Sequence, residues 1–146
     1  MNRSLPPVVK VAERLLLAIE QAVRRFARFH KYALGSDLRK LAMKIATLSH
    51  RAWREPDLRT TLLSHLARAV DQMKLALQLG SRLRAFSSFG QFEELARISS
   101  DLGRQVGGWK RTCSNHPNGQ NAARSASPQR PKKLSSRAAS IREANA

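Results

Sequence analysis

Residues 6–29 read PPVVKVAERLLLAIEQAVRRFARF, and the spacing of their apolar side chains sets the fold class. Val8, Val11, Leu15, Ala18, Ala22, Phe26 and Phe29 recur at steps of three and four, which draws one apolar stripe down a helix. Lys10, Arg14, Gln21, Arg25 and Arg28 fall on the opposite side. Pro6-Pro7 suits a helix start, where the missing N–H would have had no partner. The stripe predicts a helix running to about Phe26–Phe29.

The same periodicity returns three times downstream. Leu38, Leu41, Ile45, Leu48 and Ala52 form the seam of a second helix, with Lys40, Lys44, Arg51 and Arg54 on another side. It is entered past Gly35, which breaks the pattern and supplies a backbone conformation that other residues resist; Ser36 or Asp37 is the expected cap. Pro56 ends this helix. Asp57 is expected to cap the next, where a carboxylate also suits the positive end of the helix dipole. Leu62, Leu66, Ala69, Met73, Ala76 and Gly80 mark the third seam, widened by Leu63, Val70 and Leu77 and ending near Arg84. Gly80 reads as a point of close packing or a slight bend. Ser87-Ser88-Phe89-Gly90 makes the last turn. Phe92, Leu95, Ile98, Leu102, Val106 and Trp109 then face inward along a fourth helix, with Glu93 and Glu94 in its first turn.

Connections this short set neighbouring helices antiparallel. The expectation is therefore an all-α protein: an antiparallel up-down-up-down four-helix bundle over residues 1–111. Residues 112–146 are rich in Ser, Pro, Asn and basic side chains, with Leu134 and Ile141 as the large apolar ones, and read as a disordered basic tail.

Charge narrows the function classes. The 146-residue chain carries 27 Lys+Arg against 10 Asp+Glu, a formal net charge of +17. Of these, 21 basic and 9 acidic residues lie in 1–111, so the bundle is basic without its tail. Such an excess points to nucleic acid first and to an anionic membrane or an acidic protein second. Arg24, Arg25, Arg28 and Lys31 crowd the end of the first helix, and Arg39, Lys40 and Lys44 begin the second. Antiparallel packing brings these two groups to one end of the bundle. Arg51 follows on the second helix, Arg82 and Arg84 close the third, and Arg104, Lys110 and Arg111 close the fourth. These are the candidate nucleic-acid-binding residues. Acidic partners at i±4 are mostly absent, and arginine outnumbers lysine, which favours bidentate contact with phosphate. Few exposed aromatics are expected beside them, so backbone-directed, weakly sequence-specific binding is the expected mode rather than base stacking.

Catalytic patterns are not found. His30, His50, His65 and His116 form no HxxxH or HExxH pair, and the carboxylates are scattered at helix starts. Cys113 is the one cysteine, so neither a disulfide framework nor a metal pair is available. Gly107-Gly108 lacks the following lysine-serine of a phosphate loop. The expectation is a protein that is not an enzyme, with no metal, no cofactor and no small-molecule substrate. No signal-peptide shape and no apolar run near ~20 residues appears, so a cytoplasmic protein that does not engage a membrane is expected.

Two segments add a resemblance. Lys31-Tyr32-Ala33-Leu34-Gly35-Ser36-Asp37-Leu38 and Gly103-Arg104-Gln105-Val106-Gly107-Gly108-Trp109 resemble, in order, the segment before the second helix and the closing helix of the accessory variability determinant (Avd) proteins of diversity-generating retroelements. The stretch 71–92, with Leu75, Leu79, Arg82 and the Phe89/Phe92 turn, is similar to that family's third helix and following loop. The resemblance covers roughly residues 5–111 and omits the tail. It implies a four-helix bundle that is a non-catalytic partner of a retroelement reverse transcriptase. It also implies a basic homo-oligomer, a pentamer, that binds RNA or DNA and supports mutagenic copying of template-repeat RNA. Within it, Tyr32 and Leu34 would pack the loop, Gly107 and Gly108 would admit another backbone, and Trp109 would be a core plug or a subunit anchor. Two other readings remain: a structural bundle meeting an acidic protein, and a ribosomal-RNA intervening-sequence relative without a retroelement.

Overall fold

A computed structural model describes residues 4–115. The elements are α1 (Pro7–Arg24), the single-turn α2 (Arg28–Lys31), α3 (Leu34–Arg54), a 3-10 turn (Pro56–Leu58), α4 (Arg59–Arg82) and α5 (Phe89–Asn115). No strand occurs among the described residues. The chain up to Lys110 is one compact unit, and the described residues 111–115 fall outside it in a second.

Contacts between helix ends fix the directions. His50 on α3 meets Glu13 on α1, and Arg39 meets Glu20, so these helices run antiparallel. Arg59 at the start of α4 reaches the last turn of α3, while Gly80 near the end of α4 touches Leu34 at the start of α3. Pro6, Pro7 and Val8 share a groove with Gly108 and Trp109, which sets α1 against α5 in the opposite sense. Lys74 and Val70 lie against Gly103, joining α4 to α5. The four long helices therefore form the expected up-down-up-down bundle.

The seams meet in one core. Leu15, Ile19, Leu38, Ile45, Leu63, Leu66, Met73, Leu77, Leu95 and Leu102 are fully buried. Each such side chain removed from water stabilises the fold by roughly 1.5–3 kcal/mol, which outweighs the weak propensities of the β-branched residues among them.

Helix ends depart from the sequence expectation in specific ways. α1 stops at Arg24 rather than at Phe26–Phe29, because Phe26 turns inward and meets Phe86 edge-on with ring centres 5.3 Å apart. Ala27 is extended (φ −60°, ψ 148°), and Phe29, expected on the inner stripe, is 79% exposed. Gly35 does not break the helix: α3 begins at Leu34, and no side chain, neither that of Ser36 nor that of Asp37, caps it. Gly35 is buried instead where α1 comes close, and a Cβ there would stand 2.7 Å from Val23 Cγ1. Asp57 lies in the 3-10 turn and does not cap α4, whose N-cap Leu58 has no capping side chain. Arg59 works on the preceding helix: its guanidinium donates to the Ala52 and Trp53 carbonyls at 2.6 and 2.9 Å, satisfying the free end of α3.

At the end of α4, Arg84 takes a left-handed conformation (φ 60°). Its N–H bonds the Ser81 carbonyl, and the Ala85 N–H bonds that of Gly80, each at 3.0 Å. This is a Schellman closure with arginine where glycine is usual. Gly80 is the close-packing point, since a Cβ there would meet Leu34 and Phe86 at 3.0 Å. Glu93 and Glu94 fall after the first turn of α5, which has no acidic residue. Ser88 and Gln91 close that end reciprocally: the Gln91 N–H donates to Ser88 Oγ at 3.1 Å, and the Ser87 N–H donates to Gln91 Oε1 at 3.0 Å. α5 runs past residue 111 and continues to Asn115. The rest of the expected tail, 116–146, lies outside the described residues.

Candidate nucleic-acid interface

Antiparallel packing gathers Arg24, Arg25, Arg28, Lys31, Arg39, Lys40, Arg82 and Arg84 at one end of the bundle. The end of α1, α2, the start of α3, the end of α4 and the start of α5 all meet there. Lys44 lies a turn further along α3. The carboxylates at this end are Glu20, Asp37, Glu93 and Glu94. Glu20 alone forms ion pairs: Arg39 donates to both its oxygens at 2.9 and 3.1 Å, and Arg24 Nε stands 3.6 Å away. Arg25, Arg28, Lys31, Lys40, Lys44, Arg82 and Arg84 have no ion pair among the described residues.

The other candidates do not join this cluster. Arg51, in the last turn of α3, is held by Glu55 through two hydrogen bonds of 2.8 and 2.9 Å. Hydrogen bonding to Arg51 holds the Glu55 carboxyl below the usual carboxylate range and raises the Arg51 guanidinium in turn. The pair's stabilisation is present at neutral pH and fades as acid protonates Glu55 through its lowered value. Arg104 pairs with Asp101 at 3.3 Å, and Lys110 lies at the same end as Trp109. Arg111 belongs to the second compact unit. Acidic neighbours, expected to be mostly absent at i±4, are present for Arg24, Arg51 and, at i−3, Arg104. These pairs are exposed, and each contributes little to stability.

The aromatic expectation is also overturned. Tyr32 is 72% exposed and does not pack the loop, and Phe89 is 70% exposed. With Phe29 they stand at the same end as the unpaired cations. The sequence signal is Arg28-Phe29-His30-Lys31-Tyr32, where α2 buries none of its side chains; the three-residue step from Phe26 to Phe29 continues the α1 stripe and masks it.

Of the remaining packing candidates, Gly107 and Gly108 are mid-helix and half-buried, with α5 continuing past them. Trp109 is half-buried and lies under Arg59, whose guanidinium carbon is 5.6 Å from the ring centre. His50 Nε2 lies 2.7 Å from Glu13, a clasp between α1 and α3. No hydroxyl or thiol among the described residues hydrogen-bonds to that ring, and no three His, Cys, Asp or Glu side chains gather as a metal would need. No described helix is long and apolar enough to cross a membrane. No protein-family model matches this chain, and no curated protein matches its sequence.

Proposed function

We propose that the chain is a non-catalytic, cytoplasmic nucleic-acid-binding bundle, an Avd-like accessory protein that holds RNA or DNA beside a retroelement reverse transcriptase. The observation that carries the binding reading is the set of cations with no ion pair among the described residues, gathered at the end of the bundle where α1 ends and α3 begins: Arg25, Arg28, Lys31, Lys40, Arg82 and Arg84. Like charges gathered at one end repel one another, and a phosphodiester chain relieves that repulsion while releasing its counterions. The polymerase would do the chemistry; the bundle would supply position and charge. The accessory role rests on the resemblance of 31–38 and 103–109.

Self-association, as a pentamer in that resemblance, draws support from α4. Leu75, Leu79 and Leu83 stand four residues apart on one face and are about half exposed. A contiguous apolar stripe of this kind is the sort of surface that a second copy of the chain could cover.

The test is a mobility shift of labelled RNA and DNA by the purified full chain at ~50 mM salt, followed by co-purification with a polymerase encoded beside it. A shift that weakens steeply with salt supports the reading. Absence of any shift removes both the retroelement and the ribosomal-RNA alternatives and leaves an acidic protein partner.

A further inference from the structure

The exposed rings at the basic end are unexplained by folding. Phe29 and Tyr32 are three residues apart on the turn of α2, hence on one side of it, and Arg28 and Lys31 repeat the spacing beside them. Burying either ring would stabilise the fold, yet both stay in water. His30 meets Phe29 edge-on, with centres 4.7 Å apart, and props the ring without covering it.

Phe89 is held differently. Phe26, Phe86, Phe92 and Phe89 form a chain of ring contacts, with successive centres 5.3, 5.7 and 5.8 Å apart, leading from the core to the surface. The last ring is therefore anchored from below and open above. Beside it runs a groove of about 580 Å³ between the end of α1 and the start of α5, lined by Arg24, Arg25, Ser87, Ser88, Gln91 and Glu94 among others. That volume is within the usual range for a small-ligand site. The Gln91 oxygen is used by the Ser87 N–H, which leaves its amide hydrogens free to donate to a base edge.

We propose that this end binds unpaired nucleic-acid strands, with bases stacking on Phe29, Tyr32 and Phe89 while Arg24, Arg25 and Arg28 take the intervening phosphates. The inference rests on the nucleic-acid reading above and adds the class of ligand. A duplex keeps its base faces covered, so stacking platforms discriminate in favour of single strands. An anionic membrane would also attract basic and aromatic groups. Interfacial binding, however, uses a long amphipathic helix lying flat, whereas these rings stand on a single turn and at a helix end. The forked guanidiniums beside a groove suit discrete phosphates better than a lipid surface.

The test uses the full chain and three probes: fluorescein-labelled oligouridylate of ~20 nucleotides, the same strand annealed to oligoadenylate, and phosphatidylserine–phosphatidylcholine vesicles. The single strand should bind more tightly than the duplex. Phe29→Ala, Tyr32→Ala and Phe89→Ala should each weaken single-strand binding roughly tenfold at fixed salt, with duplex binding and the salt slope unchanged. Phe29→Tyr and Tyr32→Phe should restore it, which excludes a general effect on folding. An oligonucleotide bearing 5-iodouridine should photo-crosslink to the peptide containing Tyr32. The inference is overturned if the alanine variants bind the single strand like the parent, if they lose single strand and duplex equally, or if they lose only the vesicles. Failure of every nucleic-acid probe would overturn the broader reading as well.

Discussion

Arg39 donates two hydrogen bonds to the carboxylate of Glu20, at 2.9 and 3.1 Å, and so ties the first turns of α3 to the last turns of α1. Arg24 shares the same carboxylate at 3.6 Å. One acidic side chain thus restrains two of the thirteen candidate cations. Glu20→Gln should free both: nucleic-acid affinity should rise, and the slope of log K against log salt should steepen by roughly 0.7–1.4, with helical circular dichroism unchanged. Fluorescence anisotropy over a salt series reads this directly. A weaker, flatter response would mean that Glu20 orders the site instead of masking it.

Arg84 separates stability from binding. Its left-handed backbone (φ 60°) costs a side chain about 1–2 kcal/mol that glycine avoids. Arg84→Gly should therefore stabilise the bundle by about 1 kcal/mol in urea unfolding while weakening nucleic-acid binding through the lost charge. Arg84→Lys keeps the charge and should show neither gain in stability nor comparable loss of binding.

Gly35 sits where α1 and α3 come closest. An added methyl would fall 2.7 Å from Val23 Cγ1, a stiff, fully buried side chain that cannot rotate away. Gly35→Ala should destabilise the fold by about 1–2 kcal/mol, the overpacking cost exceeding the helix-propensity gain. Pairing it with Val23→Ala should recover part of that loss in the same unfolding assay.

Ser99 is fully buried in α5, and its hydroxyl has no hydrogen-bond partner among the described residues. Ser99→Ala removes an unsatisfied polar group and improves helix propensity. It should raise stability by about 1 kcal/mol and leave binding untouched.

The helical plan was legible because the core is written as a period: Leu38, Ile45, Leu48 and Ala52, like Leu62, Leu66, Ala69 and Met73, are buried as their spacing predicts. The ends were not legible, because tertiary contacts decide them. Phe26 and Phe29 are indistinguishable by spacing, yet one turns beneath Phe86 and the other stands in water. Gly35 resembles a breaker in sequence and is a helical contact point in space. The basic end was foreseen from helix order alone. Its neutralised members were not, since the Arg39–Glu20 pair spans nineteen residues and depends on the register of two helices.

That register also decides which cations can be reversed in charge without disturbing the fold. Reversing Arg39 would strand Glu20 opposite another carboxylate, so the informative set is Arg25, Arg28, Lys40 and Arg84, which have no ion pair among the described residues. The most direct measurement is the salt dependence of single-stranded RNA binding by the full chain and by this set changed to Glu. The account predicts tight binding at low salt by the parent protein, a loss of roughly 2–3 from the log–log slope in the variant, and unchanged helical circular dichroism. An identical slope for both proteins, with helicity intact, would contradict it.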